Sequence, residues 1–151
     1  MAKTLGTLFG IVFLAVGILG FVLGVTSDVN GMPMLLGIFH VNTAHNLVHI
    51  VSGAIFLFAA MSGAGAARLW FQIFGVIYAI VAVLGFMNPA GPLLGMISNN
   101  PPVTYLHVVL AAAMLLICFA TPKQTAWLIR DPILAVARLV ESPRNGSIFI
   151  P

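Results

Sequence analysis

Charged residues are scarce in this chain of 151 residues, where Asp, Glu, Lys and Arg together make up 6%. A soluble domain carries about 25% charged residues, because water must solvate its surface. Apolar residues make up 61% of this sequence. A water-exposed surface of the usual kind is therefore excluded, and we expect lipid to surround most of a single domain.

Carboxylates and cysteines are almost missing. The one cysteine, Cys118, lies in an apolar run, so we expect a buried core residue and no intramolecular disulfide or zinc knuckle. The acidic residues are Asp28, Asp131 and Glu141. They lie outside the apolar runs, which excludes acid–base catalysis by paired carboxylates within the membrane. The basic residues flank apolar runs and form no basic domain, so nucleic acid is not an expected partner.

Four apolar runs are long enough to cross a bilayer as helices, which takes about 20 residues. They are Leu5 to Val25, Ala44 to Met61, Leu69 to Met87 and Val103 to Ala120. The first exceeds the apolar region of a signal peptide, about 7–15 residues, and we expect it to be retained. The predicted fold class is an all-α membrane protein with four transmembrane helices, and the lipid bilayer is its expected partner.

The basic residues predict the orientation. Lys3 precedes the first span, Arg68 lies between the second and third, and the others follow the fourth. The connections 26–43 and 88–102 contain neither Lys nor Arg. By the positive-inside rule both termini are cytoplasmic. All four histidines then lie toward the opposite side of the membrane.

The two halves of the chain resemble each other. The matching segments are LFGIVF at 8–13 with IFGVIY at 73–78, LGF at 19–21 with 84–86, and LLGI at 35–38 with LLGM at 93–96. Both halves begin on the cytoplasmic side. We therefore predict two parallel-repeat hairpins, about 5–62 and 69–121, related by an axis along the membrane normal.

The repeat continues at the starts of the second and fourth helices. Six residues separate Asn42 from His49 and, in the same way, Asn100 from His107. Pro101 suits the first position of a helix whose N-cap is Asn100. By analogy Asn42 is the structural cap of the second helix, and His49 and His107 should lie at the same depth. The short apolar stretches before the caps, 34–39 and 93–97, are expected to lie on or dip into the outer membrane face.

Two further features bear on partners. The spacing in Gly6–Gly10 and Gly20–Gly24 permits close approach of helices, which we interpret as packing within the chain, with contact to other membrane subunits as the alternative. Residues 122–151 are predicted to form a cytoplasmic amphipathic helix, beginning near Asp131, and a tail. This helix would lie on the cytoplasmic leaflet, or else dock a partner subunit.

The stretch Gly37–His49 contains the pattern V-N-x-x-H-N-x-x-H, and Asn100, Leu106 and His107 form a second pattern. These motifs resemble those of a bacterial domain-of-unknown-function family of small four-helix membrane proteins. The resemblance covers residues 5–121. It implies the four-helix fold and the bacterial cytoplasmic membrane, and it implies no activity.

Three histidines form the one constellation suited to chemistry. His45 and His49 are four residues apart and share a helix face, and His107 comes from the repeat-related helix. Polar groups at membrane depth suggest function. The histidines could be structural, bonded to asparagines or loop carbonyls. They could bind a single metal, haem or pigment, since imidazole suits transition metals, or they could relay protons or substrate.

The structural interpretation of the histidines is favoured, because a histidine pair at this spacing is a weak motif. The predicted function is therefore a small polytopic membrane protein that is an accessory or structural subunit of a membrane complex. It is not expected to be an enzyme or to carry a cofactor. The alternative is a membrane protein that binds one metal, haem or pigment through His45, His49 and His107.

Overall fold

The computed structural model describes residues 1–121, which form one compact unit. Its elements are α1 (Ala2–Leu19), β1 (Thr26–Val29), β2 (Met32–Leu35), β3 (Phe39–His40), α2 (Thr43–Ser62), α3 (Ala64–Met87) and α4 (Pro101–Ala120). The helix and tail predicted over 122–151 lie outside the described residues.

The prediction of a mostly helical membrane protein is confirmed. Within residues 1–121 four helices are long and apolar enough to span a membrane. The bounds of α2 and α4 agree with the predicted spans to within two residues at each end. Helix α3 begins earlier than predicted, because Gly63 alone separates it from α2 at a φ of 135°. Arg68 therefore lies inside α3, where its Nε donates to the carbonyl of Thr121 at 2.9 Å, after the end of α4.

Helix α1 is shorter than predicted, since it ends at Leu19 and not at Val25. At Gly20 a side chain would overlap Asn46 of α2, with a Cβ only 2.2 Å from its Oδ1. The Thr26 hydroxyl donates to the carbonyl of Leu19 at 3.1 Å. The same carbonyl accepts from the backbone N–H of Val22 at 3.0 Å, so it is satisfied beyond the end of the helix, and the chain turns into β1. Gly24 lies outside the helix, at a φ of 91°.

Close helix contacts pair α1 with α2 and α3 with α4. A Cβ on Gly10 of α1 would lie 2.7 Å from Leu57 of α2. A Cβ on Gly75 of α3 would lie 2.8 Å from Leu115 of α4. The glycines thus let these helix pairs approach closely. The interpretation of Gly6 and Gly10 as packing within the chain is confirmed, because both glycines face α2. Helix α2 therefore covers this glycine surface.

Gly10 and Gly75 occupy matching positions in the LFGIVF and IFGVIY segments, and their contacts match as well. Near the other end, Gly20 meets Asn46 whereas Gly85 meets Thr104. Both partners lie four residues after the cap of their helix. These paired contacts are what a duplication would produce. Superposition of the complete repeats by rotation about the membrane normal stays a prediction.

Residues 26–40 contain an antiparallel sheet in the order β1-β2-β3, which the sequence analysis did not predict. The turn between β1 and β2 is Asn30-Gly31, with φ of 56° and 80°. Both values are positive, as the tight two-residue turn of a β-hairpin requires. The Asp28 carboxylate accepts a hydrogen bond of 2.7 Å from the backbone N–H of Gly31, which holds the turn.

The core between the helices is mostly aromatic. Its buried members are Phe13, Phe56, Phe71, Phe74, Tyr78, Ala111, Met114 and Cys118. The expectation that Cys118 is a buried core residue is confirmed, since its exposed fraction is 0%. Large apolar side chains elsewhere on the helices are exposed, including Leu8, Phe58, Leu116 and Phe119. An exposed apolar surface of this kind fits hydrocarbon and not water.

Candidate functional site

Asparagine caps begin the two helices that carry the histidines, as predicted. The Asn42 Oδ1 accepts from the backbone N–H of His45 at 2.9 Å, at the start of α2. The Asn100 Oδ1 accepts from the N–H of Val103 at 3.2 Å, at the start of α4. Each cap fixes the first turn of its helix. The histidines in the next turns are therefore held in defined positions.

The same two asparagines also connect the loops across the molecule. The Asn42 Nδ2 donates to the carbonyl of Met96 at 2.8 Å, and the Asn100 Nδ2 donates to the carbonyl of Ile38 at 2.9 Å. Ile38 and Met96 are matching positions of the LLGI and LLGM segments. Each half of the chain therefore holds the turn of the other half.

The two turns also have matching backbones. Leu36 and Leu94 have φ of 55° and 51°, and the glycines that follow, Gly37 and Gly95, have φ of 69° and 73°. A left-handed leucine is strained. Its occurrence at both matching positions indicates that the same turn is built twice. These turns, with the caps, close one end of the helix bundle above the histidines.

His45, His49 and His107 converge beneath these turns. One ring nitrogen from each lies within 4.8 Å of those of the other two. Each residue has an exposed fraction of 6%. The prediction that His49 and His107 point into the bundle is therefore confirmed. His40 does not join this three-histidine cluster, because its Nδ1 lies 3.3 Å from the carbonyl of Asn99.

His45 has a fixed tautomer. Its Nδ1 lies 3.1 Å from the carbonyl oxygen of Ser98, which can only accept a hydrogen bond. The proton must therefore reside on Nδ1, and the lone pair on Nε2 stays available. A histidine that binds a metal through one nitrogen commonly donates the other to a carbonyl in this way.

His49 and His107 differ from His45. In the part of the chain that the structure describes, the Nδ1 atoms of both are buried and have no hydrogen-bond partner. An unsatisfied buried polar group costs about 1–3 kcal/mol, and more where no water can reach it. The structural interpretation, in which ring nitrogens bond asparagines or loop carbonyls, holds for His40 and His45. It does not account for His49 or His107.

Aromatic rings hold the other two imidazoles in place. Phe13 is stacked on His49, with ring centroids 5.1 Å apart and planes 22° apart. Tyr78 meets His107 edge-on, with centroids 5.2 Å apart. Phe13 and Tyr78 are the last residues of the matching LFGIVF and IFGVIY segments, so each half of the chain supplies one histidine and its aromatic neighbour. Sequence reasoning missed both aromatics, although their place in the repeat was a usable signal.

The match between the two halves of the sequence does not extend to His45. The position in α4 that matches His45 is Val103, so the third imidazole has no counterpart. A cavity of about 100 Å³ lies beside the cluster. It is lined by His45, His49, His107, Ser52, Tyr78 and apolar side chains. Ser52 and Tyr78 thus place hydroxyl groups beside the imidazoles, in an otherwise apolar wall.

The size of this cavity discriminates between ligands. A water molecule takes about 30 Å³ of liquid volume, whereas pockets for drug-sized ligands measure about 300–1,000 Å³. A space of about 100 Å³ accommodates an ion with one or two small ligands. The haem or pigment alternative of the sequence analysis stays a prediction, for which this volume is small.

The spacing of the ring nitrogens can be compared with that of a metal site. A metal about 2.0–2.1 Å from each imidazole nitrogen requires nitrogens about 3.3–3.6 Å apart. The observed limit is 4.8 Å. The His45 and His49 rings are stacked, with centroids 4.9 Å and planes 9° apart, so these side chains would have to rotate before one ion could lie in the plane of each ring. Three imidazoles with a cavity on one side leave a coordination position open.

Comparisons with curated proteins and with solved structures find no significant match to the chain. A family model does match, over residues 3–120, which includes all four helices, both caps and the three-histidine cluster. The predicted membership in a domain-of-unknown-function family is confirmed by this match. The chain belongs to the family described as a domain of unknown function (DUF4383).

Proposed function

We propose that this membrane protein binds a single transition-metal ion through His45, His49 and His107. The observation that carries the proposal is the pair of buried, unpartnered nitrogens on His49 and His107, beside a third imidazole whose own tautomer is fixed. The hydrocarbon of the bilayer cannot satisfy such atoms. A metal ion accepts their lone pairs and removes the cost.

The chemistry of the donors restricts the ion. Neutral imidazole suits Zn, Cu, Fe and Ni, whereas Mg and Ca prefer oxygen ligands. The Ser98 carbonyl orients His45, and Phe13 and Tyr78 restrain the other rings. These neighbours prearrange the ligands, which reduces the entropy lost on binding.

Binding alone is proposed, without a catalysed reaction. The expected role is that of an accessory or structural subunit of a membrane complex, which now carries a metal. We further propose that the chain lies in the bacterial cytoplasmic membrane with both termini cytoplasmic, which puts the metal near the outer face. The basic residues Lys3 and Arg68 support this orientation.

Metal titration of the purified protein tests the proposal. Cu(I), Zn(II), Ni(II) and Fe(II) are added separately, without oxygen, to protein in detergent, and bound metal and thermal unfolding are measured. We expect at least one of these metals to occupy the three-histidine cluster, one ion per cluster, and to raise the unfolding temperature, because a ligand that binds only the folded state stabilises it.

The variants His49→Leu and His107→Leu should each abolish this binding at the cluster. Val51→Leu is the matched control, because it lies on α2 and its side chain is 57% exposed. It should bind as the wild type does. The proposal is wrong if no ion binds, or if both histidine variants bind as the wild type does. In that case His49→Leu should change stability alone, as a purely structural histidine would.

A further inference from the structure

A second group of side chains of types that bind metals lies on the sheet β1-β2-β3, apart from the three-histidine cluster. Met34 of β2 is paired directly with His40 of β3. Neighbouring side chains alternate between the two faces of a strand, so Met32 lies on the same face as Met34. All three line one pocket of about 320 Å³, together with Pro89, Ala90, Asn99, Asn100 and Pro101.

The side chains of this pocket are accessible and partly oriented. Met32 is 43% exposed, and Met34 and His40 are half-buried. The His40 Nδ1 bonds the carbonyl of Asn99, and its backbone N–H lies 3.4 Å from the Asn100 Oδ1. As in His45, the proton is then on Nδ1 and the Nε2 lone pair is available.

We propose that Met32, Met34 and His40 form a second metal site, which takes Cu(I), and that Cu(I) is also the ion of the three-histidine cluster. Thioether sulfur is a soft ligand that selects Cu(I) over Zn(II), Ni(II) or Fe(II). Two thioethers and one imidazole supply a complete three-coordinate set. Hard cations would gain little from this pocket, because its only oxygen ligands are amides and carbonyls.

The lack of negative charge at the three-histidine cluster, here called the inner cluster, also favours Cu(I). Asp28 is the one carboxylate in residues 1–121, and it is bonded to the hairpin turn. Three neutral imidazoles leave the full ionic charge uncompensated. The desolvation cost rises with the square of that charge, so a divalent ion pays about four times the cost of a monovalent one. The assignment of Cu(I) to the inner cluster rests on the proposed function, whereas the outer site does not.

The two sites adjoin. His40 and His45 bond the consecutive carbonyls of Asn99 and Ser98, and the Ser98 hydroxyl donates to the carbonyl of His40 at 3.0 Å. The outer site thus lies on the chain segment that orients the first ligand of the inner cluster. Its position and its ligands suit a first docking point for the ion.

Cu(I) titration against a chromophoric Cu(I) chelator tests the proposal, with the full-length protein in detergent under reducing conditions. The wild type should bind two Cu(I) ions, and its X-ray absorption spectrum should show both sulfur and nitrogen scatterers. The double variant Met32→Leu/Met34→Leu should bind one ion and lose the sulfur signal. His49→Leu should bind one ion and keep it. Met96→Leu, with a side chain 63% exposed outside the pocket, is the matched control and should bind two.

The outcomes separate the two proposals. If the wild type binds one Cu(I) through nitrogen ligands alone, and His49→Leu loses it, the outer site is refuted and the proposed function stands. One Cu(I) with sulfur ligands, retained in His49→Leu, would refute the inner site and support the outer one. Displacement of Cu(I) from the inner cluster by an equal concentration of Zn(II) would refute the choice of metal there.

Discussion

The most specific energetic prediction concerns Asn42 and Asn100, each of which bonds a turn in the other half of the chain. Asn42→Ala removes two interactions: the cap on the N–H of His45 and the bond to the Met96 carbonyl. Loss of a helix cap costs about 1 kcal/mol. A hydrogen bond between neutral groups contributes about 1 kcal/mol net. We therefore expect Asn42→Ala to lower the free energy of unfolding by about 2 kcal/mol.

The second asparagine provides an internal comparison. Asn100→Ala removes the cap on Val103, the bond to the Ile38 carbonyl and a long bond of 3.4 Å from the His40 N–H, so it should cost at least as much. Asn42→Ser keeps a capping oxygen but lacks the amide that reaches Met96. It should therefore cost about half as much as Asn42→Ala.

Unfolding by added SDS in mixed micelles, followed by circular dichroism, measures these differences. Met96→Leu is the control, because it keeps the backbone carbonyl that accepts the bond from Asn42. It should leave the unfolding midpoint unchanged. A cost below about 0.5 kcal/mol for Asn42→Ala, or a difference above about 1 kcal/mol between the two alanine variants, would show that the exchange does not stabilise the fold as argued.

The remaining predictions concern helix packing and orientation. Gly10→Val should destabilise the protein by about 1–3 kcal/mol, because even a Cβ there would lie 2.7 Å from Leu57. The control Ala15→Val, on the exposed side of α1, should be neutral in the same SDS titration. Equal effects of the two substitutions would contradict the α1–α2 packing. In a Cys118→Ala background, Val29→Cys should react with an impermeant thiol reagent added outside intact cells, whereas Lys3→Cys should react only after lysis. The opposite pattern would reverse the proposed orientation.

Much of the architecture was predictable from the sequence, because the constraints involved are local. A scarcity of charge and four long apolar runs leave a membrane bundle as the fold. The caps were also predictable, since Asn100 before Pro101 has a direct chemical meaning at a helix start. The start of α3 was misplaced at Leu69 because Arg68 was treated as a boundary, whereas its side chain reaches the end of α4.

The hairpin shows a signal that was present and not used. Asn30-Gly31 between two short segments is a strong indication of a tight β-turn. The apolar composition of residues 34–39 suggested a membrane-associated segment instead. The end of α1 was less predictable, because it depends on the packing of Gly20 against Asn46. These residues lie far apart in the sequence.

The sequence by itself determined the candidate ligands, because His45 and His49 must share a helix face and the repeat relates His49 to His107. Only the tertiary structure decided what they can do. Partners of buried nitrogens, ring contacts and cavity volume depend on how all four helices pack. Those contacts give the Nδ1 atoms of His40 and His45 hydrogen-bond partners, the carbonyls of residues 98–99. They leave the Nδ1 atoms of His49 and His107 without a partner, and the proposed metal ion would bind there.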